Sequence, residues 1–138
     1  RLYCTVWGDI MTFVATRKGI AGTVIDGVCR DIPGIKENDY PIFAKSTYMV
    51  TGKDRVTVDY VNKPVAISGV QVCPNDIILA DDTGAVCVPD AVAEKVADIA
   101  ESIEKTEQAI IAEVKNGSTL KEARAKLGYH HLQTHEER

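Results

Sequence analysis

The sequence predicts an α/β fold, and three observations carry the prediction. A helix-glycine-strand unit opens the chain: Ile10 to Lys18 has helical spacing, Gly19 stops it, and Thr23 to Ile25 is a β-branched run. From Pro41 to Val88, short apolar runs alternate with Pro, Asn, Asp and Gly, the texture of strands joined by turns. A long amphipathic helix then runs from Asp90 to about Asn116.

Each element has its own warrant. Leu2 to Val6 reads as a buried strand, broken by Gly8. Asp9 suits the N-cap of the first helix, whose apolar face carries Ile10, Phe13 and Val14. Ile20 to Ile25 reads as a strand ending at Asp26-Gly27, and Val28 to Asp31 as a turn. Pro33-Gly34 leaves room only for a short helix near Ile35 to Asn38. Pro41 to Ser46 is a short apolar run. Arg55 to Val61 alternates apolar and polar residues and predicts a strand, and Val65 to Val72 predicts another, interrupted at Ser68-Gly69. Ile77 to Ala80 and Ala85 to Val88 flank Asp81-Asp82-Thr83-Gly84, a hairpin signal that takes precedence over a paired-carboxylate metal site. In the long helix, Val92, Val96, Ile99, Ile103, Ile110 and Val114 form a narrow stripe, with Thr106 in the missing slot. Ser118 or Thr119 caps a last helix, with Glu122 completing a capping box. One domain over residues 1–128 and a polar tail over 129–138 are expected. His130, His131 and His135 of that tail are read as incidental rather than as a metal tract.

Composition narrows the function. The chain has 138 residues, 45% hydrophobic and 26% charged, with a formal net charge of −4. That balance disfavours a nucleic-acid-binding face, and no apolar run is long enough to span a bilayer. Cys4, Cys29, Cys73 and Cys87 form no CxxC pair and read as buried thiols of a reducing cytoplasm. A chain that opens at Arg1, inside a strand, is expected to be a fragment or to have lost a segment.

Two short stretches carry the chemistry. Gly8 to Met11 opens a helix, whose first N–H groups and positive dipole end suit a carboxylate or phosphate. Arg30 offers a bidentate anion clamp, and Asp31 and Asp9 offer hard oxygen ligands for a divalent cation. Alone, the first stretch is an ordinary helix cap and the second a surface ion pair. One helix and one strand separate them, which is the spacing that brings a helix N-terminus beside the end of the next strand. An anionic, oxygen-rich small molecule held with a metal is the expected ligand. Cys29 beside Arg30 has no histidine base near it in sequence and is not expected to be a nucleophile. The absence of a glycine-rich loop after the first strand speaks against methyl transfer.

Gly8-Asp9-Ile10-Met11, followed by Gly19 through Asp31, resembles the RraA-like family. Val70 to Pro74, Asp76 to Asp82 and Gly84 to Pro89 are similar to a later stretch of the same family. That family includes 4-hydroxy-4-methyl-2-oxoglutarate and 4-carboxy-4-hydroxy-2-oxoadipate aldolases, many of which decarboxylate oxaloacetate. It also includes regulators of ribonuclease E activity. The resemblance implies a swivelling β/β/α fold, a further N-terminal region outside this chain, and a homotrimer or hexamer. It implies that Asp31 binds Mg²⁺ or Mn²⁺ and that Asp9 holds a water of its shell. Arg30 would bind the pyruvyl part of a 2-oxo acid, and the amides of Gly8, Asp9, Ile10 and Met11 its carboxylate or developing enolate. Glu107, or else Glu104, would act from a neighbouring subunit. The expected activity is a metal-dependent, cytoplasmic lyase that releases pyruvate. The alternative is a non-catalytic protein-binding regulator. No Schiff-base lysine is needed, so Lys18 and Lys36 are not expected to act covalently.

Overall fold

A computed structural model describes residues 2–129. The histidines expected in the tail lie outside the described residues. The chain forms two compact units, one up to Asp90 and one from Ala91.

The first unit is built on a parallel sheet. Strand β1 (Thr5–Trp7), helix α1 (Asp9–Arg17), strand β2 (Thr23–Cys29), helix α2 (Ile32–Glu37) and strand β3 (Ile42–Thr47) follow in order, and the sheet order is β1-β2-β3. Both strand pairs are parallel, so each crossover is made by a helix. Thr5 pairs with Val28 and Trp7 with Cys29. This register lays the end of β1 beside the end of β2. Val28, Cys29, Ala15, Ile35 and Tyr40 are buried and form the core of this unit. Burying a side chain the size of Val28 contributes about 1.5–3 kcal/mol.

Several boundaries differ from the sequence expectation, each for a physical reason. β1 begins at Thr5, not Leu2, because Leu2 and Tyr3 are exposed and outside the ladder. Gly8, not Asp9, is the N-cap of α1, in extended backbone and without a side-chain cap. β2 does not stop at Asp26-Gly27: a register shift between Ile25 and Val28 absorbs that pair, and the strand runs on to Cys29. α2 starts at Ile32 because Pro33 fits the first turn of a helix, where no N–H is needed. Arg55 to Val61 is not a strand. It alternates in sequence, but it lies in irregular backbone and has no ladder partner. Val65 to Val72 is a hairpin rather than one interrupted strand. β4 (Val65–Ile67) pairs antiparallel with β5 (Val70–Val72), and Ser68 and Gly69 turn the chain with φ of 51° and 85°. β6 (Ile77–Asp81) and β7 (Gly84–Val88) form the hairpin expected. Asp81 accepts from the backbone N–H of Thr83 at 2.8 Å and from its hydroxyl, so it serves the turn. Cys4 and Cys29 are buried, whereas Cys73 and Cys87 are only half-buried, against the expectation for all four.

A carboxylate that sequence reasoning passed over ties β2 to the β4–β5 turn. Asp26 accepts from the Ser68 N–H at 2.9 Å and pairs with Lys45 of β3. The Lys45 ammonium, then the Ser68 amide, holds the Asp26 carboxyl below the usual carboxylate range. A group lowered in this way stabilises the fold above its unfolded pKa, and that contribution is lost as pH falls through the folded value. Asp26→Asn is therefore expected to lower the urea midpoint at pH 7. The gap from the parent should begin to narrow below about pH 4 and close only as the folded carboxyl, whose pKa lies lower still, takes up its proton. An equal gap at both pH values would count against the assignment.

The second unit holds α3 (Ala93–Lys115) and α4 (Leu120–Lys126). A single 3-10 turn, Asp90–Val92, precedes α3, so Asp90 is not its cap; the Asp90 N–H instead donates to Asp76 at 3.2 Å. Thr119 caps α4 through the expected box with Glu122. Ile110 and Ala123 are buried, and Lys126 of α4 bonds Glu113 of α3 at 2.7 Å.

Candidate active site

The parallel sheet places its first two strand ends together. β1 runs into Trp7-Gly8 and α1, while β2 runs into Arg30-Asp31 and α2. The Arg30 N–H donates to the Trp7 carbonyl at 3.0 Å, which clamps the two exits side by side. Open parallel sheets hold their ligands at this carboxyl edge.

Gly8 is buried, and its missing side chain makes the site possible. A Cβ there would lie 2.5 Å from Oδ2 of Asp31 and 3.4 Å from Cγ and Nε of Arg30. The same carboxylate oxygen sits 3.2 Å from Nε of Arg30. Asp31 has left-handed backbone (φ 57°, ψ 42°), which Asp tolerates better than most residues, and its carboxylate does not cap α2. It is held instead over Gly8 and against Arg30. Gly34 plays the matching part for Asp9: a Cβ at position 34 would lie 2.8 Å from the Asp9 Cβ. Arg30 and Asp31, nominated from sequence, are thus packed together over Gly8, Asp9 is packed against Gly34, and Asp9 and Arg30 line the same cleft. Pro33-Gly34 reads in sequence only as a helix breaker, so the second contact was not legible there.

The helix N-terminus differs in detail from the expectation. Gly8, Asp9, Ile10 and Met11 supply the first N–H groups of α1. The Ile10 N–H, however, donates to Oδ1 of Asp9 at 2.7 Å. Asp9 therefore has one oxygen turned to its own helix and its other oxygen free to face a different donor. Below this turn, Thr12 is fully buried. It accepts from Trp7 Nε1 at 2.9 Å and donates to the Gly8 carbonyl at 3.0 Å. The Trp7 ring stacks on Tyr40, whose hydroxyl lies 2.7 Å from that of Thr23. These residues fix the Trp7-Gly8 turn. No motif or spacing in the sequence singles out Thr12 or Tyr40.

The site opens into a cleft of about 540 Å³. Gly8, Asp9, Ile10, Met11 and Arg30 line one part, and Thr51, Gly52, Lys53 and Thr57 another. The second part belongs to the irregular segment after β3. It is anchored to β1 by the Thr5 N–H, which donates to the Val50 carbonyl at 2.9 Å. Gly52 allows close approach: a Cβ there would meet the Thr5 carbonyl at 2.2 Å. The cleft therefore holds a second cation, Lys53, that motif spacing did not point to.

The donor set fits a hydrated hard cation rather than a soft or closely caged one. Among the described residues, no group of three or more His, Cys, Asp or Glu could hold a metal. Mg²⁺ keeps most of its waters and needs only one or two carboxylates, which Asp31 and Asp9 can supply. Cys29 is no rival nucleophile. It is buried, and burial pushes its thiol pKa up. Glu107 and Glu104 lie on α3 in the second unit, with Glu107 half-buried and Glu104 accepting from Gln108 at 2.8 Å.

Known proteins resemble this chain in sequence and in fold. Protein DlpA of Legionella pneumophila is 41% identical over 88% of this chain and 20% of its own length. A putative 4-hydroxy-4-methyl-2-oxoglutarate aldolase of Halalkalibacterium halodurans is 35% identical over 67% of this chain and 45% of its own length. The crystal structure of an uncharacterized protein from Pseudomonas syringae superposes with a TM-score of 0.87 at 44% identity, covering 90% of this chain and 62% of that one. The chain thus spans only part of each relative. The RraA-like profile, described as Aldolase/RraA, matches residues 1–87, a span that contains Gly8, Asp9, Arg30, Asp31 and the whole cleft. On that match the chain belongs to the RraA-like family.

Proposed function

We propose that this chain carries the site of a divalent-metal-dependent lyase. It would cleave 4-hydroxy-2-oxo acids, such as 4-hydroxy-4-methyl-2-oxoglutarate or 4-carboxy-4-hydroxy-2-oxoadipate, by retro-aldol to pyruvate, and decarboxylate oxaloacetate. The observation that carries the reading is the Asp31 carboxylate, packed over Gly8 and against Arg30 at the carboxyl edge of the sheet. The naming of a relative as a putative aldolase supports it.

Both reactions need negative charge stabilised on a pyruvate enolate as a carbon–carbon bond breaks. Asp31 would hold Mg²⁺ or Mn²⁺, with Asp9 on a water of its shell; when bound, the cation supplies Lewis-acid stabilisation of the 2-oxo group. Arg30 binds and orients the pyruvyl part as a two-pronged donor and adds positive potential where the enolate charge develops. The first N–H groups of α1 add fixed positive potential where charge develops. Asp9 orients a water that takes the C4 hydroxyl proton. Glu107, or Glu104, reaches the site from a neighbouring copy in a homotrimer or hexamer.

The test is pyruvate release from oxaloacetate and from 4-hydroxy-4-methyl-2-oxoglutarate. Turnover is expected with Mg²⁺ or Mn²⁺, to vanish with EDTA and return on adding back metal. Asp31→Asn, which keeps the left-handed backbone accessible, should lose it. Turnover that survives EDTA would end the metal reading.

A second reading, a protein-binding regulator on the same fold, is favoured by exposed apolar side chains. Met49, Val58 and Val61 are 82%, 78% and 72% exposed. Folded protein that releases no pyruvate with either metal would move the assignment there.

A further inference from the structure

Two of the four cysteines share one small polar frame. Cys73 follows β5, and Cys87 lies in β7. Asp76, in the turn between β5 and β6, touches both: its Oδ2 accepts from the Cys73 N–H at 2.7 Å and from the Cys87 thiol at 3.6 Å. Gln71 also touches both. Its side-chain amide donates to Cys73 Sγ at 3.7 Å, and its backbone carbonyl lies 4.0 Å from Cys87 Sγ. Both thiols are free and half-buried, within reach of a small oxidant. Cys4 and Cys29, by contrast, are 3% exposed.

We propose that Cys73 and Cys87 are a peroxide-sensitive pair, joined reversibly as a disulfide, with Asp76 holding the second thiol in place. The frame divides the roles. Burial and the Asp76 carboxylate push the Cys87 thiol pKa up, so Cys87 keeps its proton and suits the resolving position. Hydrogen peroxide is the oxidant. The Cys73 thiolate attacks one peroxide oxygen, the O–O bond breaks, and hydroxide leaves, giving a sulfenic acid. Cys87 Sγ then attacks the Cys73 sulfur. The S–O bond breaks, and the Cys87 proton passes to the departing hydroxide, giving water. Both cysteines are oxidised by one electron each, and the peroxide is reduced by two. A dithiol reductant reverses the bond by exchange. The link would tie the turn after β5 to β7, joining the β4–β5 and β6–β7 hairpins covalently. It stands apart from the cleft residues, so its fate and that of the lyase reading are separately testable.

The experiment treats the full chain with hydrogen peroxide, blocks remaining thiols, and maps peptides without reduction. Trypsin leaves both cysteines on one peptide, whereas cleavage before Asp76, Asp81 and Asp82 separates them. The expected result is a linked pair of peptides, lighter by two hydrogens than its reduced parts and split by dithiothreitol. Cys73→Ser and Cys87→Ser should each abolish it. In Cys87→Ser the Cys73 sulfenic acid should persist and be trapped by dimedone. Asp76→Ala, which removes the acceptor that positions Cys87, should slow the link while leaving dimedone trapping of Cys73 intact. Links through Cys4 or Cys29, dimedone labelling of Cys87 in place of Cys73, or two unmodified thiols after peroxide would each overturn the proposal.

Discussion

Arg30→Ala is expected to lower kcat for pyruvate release by about 100- to 1,000-fold, the usual cost of one preorganised donor at a developing oxyanion. Arg30 is placed for that part by its backbone and its side chain together. Its N–H is tied to the Trp7 carbonyl, and its Nε lies 3.2 Å from Asp31. The alanine variant removes the clamp and also leaves the Asp31 carboxylate without its neighbouring cation. Arg30→Lys should recover little, because an ammonium lacks the planar fork that grips a carboxylate at two points. Steady-state kinetics separates the contributions. A rise in KM alone would make Arg30 a binding group, whereas a fall in kcat marks stabilisation that strengthens as charge develops. Arg30→Ala within a few-fold of the parent, beside an inactive Asp31→Asn, would remove Arg30 from the mechanism.

Gly8→Ala should be nearly as damaging, although it adds one methyl group and removes nothing. The backbone at Gly8 (φ −154°, ψ −165°) is open to alanine, so the fold is expected to persist. The new Cβ would stand 2.5 Å from Oδ2 of Asp31, and one of the two must move. Displacing a reacting or ligating group by about 1 Å commonly costs on the order of 100-fold in rate. The variant should therefore keep its circular dichroism spectrum and lose most turnover, and it should need more Mg²⁺ for half-activation. A fully active Gly8→Ala would mean that the Asp31 carboxylate is free to swing and is not held for catalysis.

Much of the geometry of the candidate site could be read from the sequence. Asp9, Arg30 and Asp31 were legible because chemistry and spacing agree: a helix and a strand return the chain to the edge it left. Family membership and the α/β class were legible from the same stretch. Contacts made by absent side chains were not. Gly34 supports Asp9 only through the room it leaves, and sequence shows it as half of a Pro-Gly turn. The far wall of the cleft was hidden differently. Arg55 to Val61 alternates as a strand would, and period-2 patterning reports a two-sided environment rather than a ladder partner. Asp26 was hidden because its partners, Lys45 and Ser68, are distant in sequence and meet it only once the sheet and hairpin have formed. The capping box at Thr119 was legible because all its partners are local.

The left-handed backbone at Asp31 has a bearing on how such chains diverge. Most side chains pay about 1–2 kcal/mol there, while Asp, Asn and Gly pay least. Drift at this position is therefore channelled. A lineage released from selection for chemistry can pass to Asn or Gly with its fold undisturbed, while other substitutions are resisted on conformational grounds alone. On the proposed function, the residue at this single position is expected to serve as a sorting mark among otherwise similar sequences: asparagine or glycine there would mark chains in which only the shape has been kept.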